Sequence, residues 1–146
     1  MERITYWHSR RIGLPRSWHL RLPIKRRFPH GFVPYDGSAY WCLSREAVEH
    51  IRHFLAEHPA FCRFFMHVDV PDEIIFHTIL LNSSLRDSLV NDDLRYIDWT
   101  RQPLPAILGV GDFETLARSP KLFARKFDPR VDAQILDLID SELIPE

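Results

Sequence analysis

Glu73 follows Val70, Pro71 and Asp72, a spacing that sets a carboxylate in the first turn of a helix opened by Pro71. The positive end of a helix favours the charged form of such a group, which can then take a proton from a hydroxyl within hydrogen-bond reach. Plain helix stability explains the same placement, because acidic residues are common in first turns. Asp72 points elsewhere, since adjacent helical positions do not share a face, and is read as a cap or hydrogen-bond acceptor. Arg125 and Lys126 are neighbouring cations in the string Leu122–Asp128. A lysine there is a compact point charge suited to a phosphate that gains charge, although a solvated surface role is the ordinary one. Trp99 closes the stretch Leu94–Trp99. An indole combines a flat apolar face with an N–H donor, and in a strand it is otherwise a core residue. Gly37 and Ser38 form a tight turn that lets the backbone approach a ligand closely.

Other chemistries find less support. The chain has eight histidines, and His50 and His53 share a face of a predicted helix with His58 and Asp69 nearby in sequence. No H-E-x-x-H or Cys/His spacing accompanies them, so no metal site is expected. No G-x-S-x-G elbow occurs, and neither Cys42 nor Cys62 lies in a CxxC, which leaves nucleophilic catalysis without a motif. No Asp-x-Asp is present to hold a divalent metal on a diphosphate.

The chain of 146 residues is long enough for one domain with a real core. A net charge of −1 argues against a dedicated nucleic-acid binder. The charge is uneven: residues 1–36 hold eight Lys/Arg against Glu2 and Asp36, a net of about +6, while the tail from Asp132 is acidic. That basic segment could attract a phosphorylated ligand or be a solvated lead-in. Two cysteines make no disulfide framework and fit a reducing compartment. No apolar run approaches the ~20 residues of a membrane span and no signal-peptide core opens the chain, so the expectation is a soluble, cytoplasmic protein with no transmembrane segment.

The elements that must position these residues alternate. Residues 8–36, rich in Pro, Gly and Arg, are loop-like with a short helix around Ser17–Leu22. Ala39–Leu43 is apolar and aromatic, which predicts a buried strand. Ser44 suits an N-cap, and Val48, Ile51, Phe54 and Leu55 recur at helical spacing until Pro59 stops the run. Phe61–Val68 fits a strand or a second short helix. Ile75, Ile79 and Leu80 give the helix after Pro71 an apolar stripe. Leu94–Trp99 and Ala106–Val110 read as strands, Asp112 caps a helix over Phe113–Ala117, and Asp128–Pro129 opens a last helix with Val131, Ile135, Leu138 and Ile139 facing inward. This alternation is α/β, or one half of an α/β domain.

Four strings carry a resemblance: GSAYWCLSRE at Gly37–Glu46, VPDE at Val70–Glu73, LRYIDW at Leu94–Trp99 and LFARKFD at Leu122–Asp128. In this order and with these gaps, from about Pro34 to Asp128, they resemble the C-terminal half of the Core-2/I-branching glycosyltransferases, the β-1,6-N-acetylglucosaminyltransferase-like family (glycosyltransferase family 14) that includes xylosyltransferases, and in particular its short bacterial members. The resemblance implies the C-terminal part of a GT-A-like domain over residues 37–146, behind a basic Pro-containing lead-in over 1–36. It implies inverting, metal-independent transfer of N-acetylglucosamine or xylose from a UDP-sugar to a glycan or other hydroxyl acceptor, with no cofactor. Glu73 takes the place of the family's catalytic base, Lys126 that of its phosphate-binding lysine with Arg125 beside it, and Trp99 that of an acceptor-contacting tryptophan. The family's second basic residue falls on Pro103, so Arg101 is taken in its stead. Only 36 residues precede Gly37, with no strand–helix alternation for a nucleotide-binding half. The chain alone is therefore expected to be incomplete, with a separate N-terminal nucleotide-binding half as partner. The alternative is a non-catalytic fragment that binds sugar or docks on such a partner.

Overall fold

The computed structural model describes residues 2–10 and 19–144. In chain order its elements are α1 (Glu2–Thr5), β1 (Tyr6–Arg10), β2 (His19–Lys25), α2 (Arg45–Glu57), α3 (Pro59–Phe65), α4 (Ile75–Leu81), β3 (Arg95–Ile97), α5 (Phe113–Ala117), β4 (Phe123–Arg125) and α6 (Gln134–Glu142). Short 3-10 turns occupy Pro71–Glu73, Arg86–Ser88 and Val110–Asp112. The fold is mixed α/β, and the elements form two compact units, Met1–Asn91 and Asp92–Glu146.

In the first unit, Ser44 caps α2 by accepting the Ala47 N–H at 3.2 Å. Ala47 and Ile51 are buried and Phe54 and Leu55 pack beside them, while Val48 stays about half exposed. Pro59 both ends α2 and opens α3, the first helical position where a missing N–H costs nothing. The His58 ring stacks on Phe54 at this corner, 4.0 Å apart, and its Nδ1 meets the Phe54 carbonyl at 2.9 Å. Phe61–Val68 therefore begins as helix: Phe61 and Phe65, one turn apart, both enter the core with Ile51, Val68, Ile74, Ile79 and Leu80.

Parts of the basic segment over 1–36 pack into this unit. Ile4 is buried in this core, and Phe28 and Phe32 pack against it, with Phe28 edge-on to Phe61, Phe64 and Phe65. Strands β1 and β2 pair antiparallel, with a register shift between Tyr6 and Trp7. The helix expected around Ser17–Leu22 is replaced by strand from His19 onward, and its first two residues lie outside the described residues. Arg26 docks the hairpin. Its guanidinium donates to the carbonyls of His67 and Phe64 at 2.9 and 2.5 Å and lies 3.8 Å over the Phe64 ring and 4.8 Å over Trp7. The strand expected over Ala39–Leu43 does not form. An apolar run becomes a buried strand only in a ladder, and here Ala39–Cys42 is exposed, with Trp41 resting on Phe76 at 5.4 Å.

In the second unit, β3 and β4 pair in parallel from Arg95↔Phe123 to Ile97↔Arg125. Ala106–Leu108 lies beside Lys126, whose carbonyl accepts the Leu108 N–H at 2.8 Å, but it is not a strand. Leu108 and Ile135 are fully buried, with Leu116, and Tyr96, Phe113, Ala124, Phe127 and Ile139 close around them. Helix α6 starts at Gln134 rather than after Pro129. The Asp128 carbonyl accepts the N–H groups of Val131 and Asp132, making a separate turn that leaves Val131 65% exposed instead of facing inward.

Arg26→Ala should destabilise the protein by about 2 kcal/mol, the sum of two ring contacts and two hydrogen bonds from a charged donor. Arg26→Lys recovers less than half, because an ammonium cannot fork between two carbonyls while stacking. Urea unfolding checks this against the exposed neighbour Arg27→Ala, which should stay within ~0.5 kcal/mol of the parent. Equal effects of the two alanine variants would contradict the docking role.

Candidate functional site

The first unit lays residues 33–38 along α4. The Asn82 side chain accepts the Val33 N–H at 3.0 Å and donates to the Val33 carbonyl at 2.8 Å. One turn earlier, the fully buried Thr78 hydroxyl accepts the Tyr35 N–H at 3.1 Å. At the start of the helix the Gly37 N–H reaches the Glu73 carbonyl at 2.9 Å, and His77 Nε2–H donates to the Ser38 carbonyl at 2.8 Å. Side chains on one helical face thus do the work of a strand partner, which suits a segment carrying Pro34 and no regular ladder.

Glu73 is the last residue of the 3-10 turn, and helix α4 proper begins two residues later. Its charge is met chiefly by Arg3 rather than by the helix. Arg3 Nη1 donates to Glu73 Oε2 at 2.5 Å and lies 4.0 Å from Asp36 Oδ1. The Glu73 hydrogen bond raises the Arg3 pKa above its ordinary value, with the charges of Glu73, Asp36 and Asp69 adding to it. Asp72 is exposed. Beside the ion pair is a recess of about 270 Å³ lined by Arg3, Ile4, Pro34, Tyr35, Asp36 and Ile74. Its wall is apolar and aromatic, with Arg3 and Asp36 as polar groups. Gly37 has an ordinary backbone conformation. A Cβ there would lie 2.7–3.0 Å from the His77 ring, so it is the histidine that demands the glycine.

In the second unit Trp99 is 60% exposed just beyond β3, not in the core. The neighbouring Asp98 carboxylate accepts the Thr100 N–H and hydroxyl, each at 2.7 Å, and Arg101 Nε at 2.6 Å. These bonds push the Asp98 pKa down to about 2, the Thr100 hydroxyl contributing most. Arg101 reaches on to Asp112 Oδ1 at 2.7 Å, and Asp112 Oδ2 accepts the Gly109 N–H at 3.0 Å. Asp112 therefore closes the turn before α5 and makes no side-chain bond to the helix it was expected to cap. Lys126 is exposed at the end of β4, and Arg125 is half-buried. The Asp128 carboxylate accepts the Arg130 N–H and guanidinium, which lowers its pKa to about 2, with the Lys126 charge contributing less. Among the described residues no group of three or more His, Cys, Asp or Glu could hold a metal ion, and no helix is long and apolar enough to cross a membrane.

Sequence reading missed Arg3, His77 and Asp98. Arg3 is 70 residues from Glu73, with no local signal. His77 was legible in principle, since it follows Glu73 by four residues and such positions are neighbours on a helix.

Comparison with known proteins agrees with the motifs. The family model described as Core-2/I-Branching enzyme matches residues 4–117. Over 124 residues the chain is 35% identical to the Arabidopsis thaliana protein named beta-glucuronosyltransferase GlcAT14B, covering 82% of this chain and 28% of that protein. It is 30% identical over 139 residues to xylosyltransferase 2 of Rattus norvegicus, covering 82% and 16%, and 29% identical over 151 residues to xylosyltransferase 1 of the same organism, covering 91% and 18%. The chain belongs to the Core-2/I-branching family of glycosyltransferases. It spans between 16% and 28% of the length of these relatives. The matched region holds Glu73, Trp99 and Arg101 and ends before Arg125 and Lys126.

Gly37→Ala should cost about 1–3 kcal/mol by overpacking against His77, and His77→Ala about 1 kcal/mol through the lost Ser38 bond. In the double variant the steric part disappears, giving a coupling of at least ~1 kcal/mol in chemical unfolding. Strict additivity would mean the ring does not occupy that space. A second expectation concerns acid. Asp98 and Asp128 have folded pKa values lowered to about 2. Their contribution is complete above the unfolded value of ~4 and is lost as pH falls from there through ~2. Melting temperature should drop over that window, with a shallower drop in Asp98→Asn. An identical acid limb in parent and variant would contradict the Asp98 assignment.

Proposed function

We propose that this chain carries the acceptor-activating part of an inverting glycosyltransferase, with Glu73 as general base. The observation that carries the reading is a carboxylate inside the family-matched region, paired with Arg3 beside a recess of about 270 Å³. In the reaction the acceptor hydroxyl gives its proton to a Glu73 oxygen as its own oxygen bonds to the anomeric carbon of the donor. The bond from that carbon to the diphosphate breaks with its electron pair, and UDP leaves. The growing charge on UDP is met by Lys126, an exposed cation, with Arg125 beside it. Arg3 aims the Glu73 carboxylate through their ion pair and yields contact to the acceptor. Trp99 offers its exposed indole to a sugar face. The donor is a UDP-sugar of the N-acetylglucosamine, xylose or glucuronic acid type, the last two drawn from the relatives' names. Charge on lysine takes the place of a metal at the diphosphate, and a separate nucleotide-binding half is the partner that completes the donor site.

Release of UDP from UDP-xylose, UDP-glucuronate or UDP-N-acetylglucosamine tests this under single-turnover conditions, with water or an added sugar as acceptor and chelator present. Supplied with the nucleotide-binding half, the parent should turn over at least one donor, and Glu73→Gln, which keeps size but takes no proton, should slow that turnover by roughly 10²–10⁴-fold. Turnover of the Gln variant within a few-fold of the parent would remove the base assignment. UDP binding with no turnover of any donor would favour the second reading, a chain that binds or docks without catalysis.

A further inference from the structure

We propose that Asp98 and Arg101 are positioning residues that hold Trp99 as a fixed, exposed stacking platform, and that Arg101 is not an anion clamp. The proposal rests on the reading of Trp99 as an acceptor contact and extends it to the groups behind the indole. Trp99 sits at the middle of a three-residue turn, which Asp98 closes by accepting both the N–H and the hydroxyl of Thr100 at 2.7 Å. The ends of this turn are tied elsewhere. The Asp98 carbonyl accepts the Ala106 N–H at 2.9 Å, and Arg101 bridges from Asp98 to Asp112 at 2.6 and 2.7 Å. Asp112 in turn holds the Gly109 N–H, so the turn carrying Trp99 is braced against the chain just before α5. The Asp98 side chain is only 9% exposed although the adjacent indole is 60% exposed. The polar groups are spent inward and the apolar ring is left outward, the reverse of what burial alone would choose.

Charge decides the role of Arg101. One guanidinium stands against two carboxylates, Asp98 and Asp112, so the cluster is negative and would repel a diphosphate. Lys126, by contrast, is exposed, and the Asp128 carboxylate that feels its charge is already bonded to Arg130, so two cations there stand against one carboxylate. A side chain fixed before binding loses less freedom on contact, which corresponds to about a three- to tenfold lower KM for an acceptor that stacks on it.

The test follows the Trp99 indole N–H by NMR, its cross-peak assigned with Trp99→Phe, in the parent, Asp98→Asn, Arg101→Ala and Arg101→Lys. The brace predicts a shifted, more mobile Trp99 indole in the first two variants, a smaller change with Lys, and unmoved signals from the other three tryptophans. Calorimetry with UDP as probe should give an affinity for Arg101→Ala within about twofold of the parent, while Lys126→Ala loses about tenfold or more. An unchanged Trp99 signal in Asp98→Asn and Arg101→Ala overturns the brace, as does movement of all four indoles together. Loss of UDP affinity in Arg101→Ala equal to that in Lys126→Ala restores the clamp role. If the parent chain alone binds no UDP, the two UDP affinities are compared with the nucleotide-binding half present, and the indole signals decide the brace in either case.

Discussion

The candidate base and its surroundings depend on one arrangement: the polar side chains of α4 serve as a hydrogen-bonding edge for residues 33–38. Asn82, Thr78 and His77, with the Glu73 carbonyl, hold Val33, Tyr35, Gly37 and Ser38 at successive points along the helix. Buried backbone groups need partners, and a segment containing Pro34 cannot find them all in a sheet. Pairing it to a helix fixes Asp36 and Gly37 beside Glu73 and leaves room for Arg3 between the two carboxylates. The opposite, apolar face of the same helix, Ile79 and Leu80, is among the most buried parts of the first unit. Core packing and the path of residues 33–38 therefore meet on α4 and its flanking residues Glu73 and Asn82.

Electrostatics follow a common rule in both units. In each unit carboxylates are met by an arginine or by local N–H and O–H donors: Glu73 by Arg3, Asp98 by Thr100 and Arg101, Asp128 by Arg130. Lys126 departs from this rule. It is exposed and, among the described residues, without a carboxylate in ion-pair contact, the condition in which a cation is available to an incoming anion.

Local signals were legible in the sequence and long-range ones were not. Ser44 and Pro59 bounded α2 because capping and proline geometry act within a few residues, and Pro71 marked the turn that carries Glu73. Four short strings were enough for the family, because they preserve order and spacing. Ala39–Leu43 was misread because an apolar run specifies burial, while the ladder that makes it a strand must come from elsewhere in the fold. Val131 was misplaced because Asp128–Pro129 begins a turn as readily as a helix, and here Arg130 closes that turn on Asp128. Arg3 could not have been found, since its partner is 70 residues away and only the folded core brings Ile4 and Ile74 together.

The central claim is that Glu73 activates an acceptor for a single displacement at the anomeric carbon. The most direct measurement is the configuration of the first-formed sugar product, read by proton NMR from the anomeric coupling before mutarotation or with a non-mutarotating acceptor. Starting from an α-linked UDP-sugar, the account predicts the β product first. An α product formed first would mean two displacements or front-side transfer, and Glu73 could not then be acting as the base proposed for it.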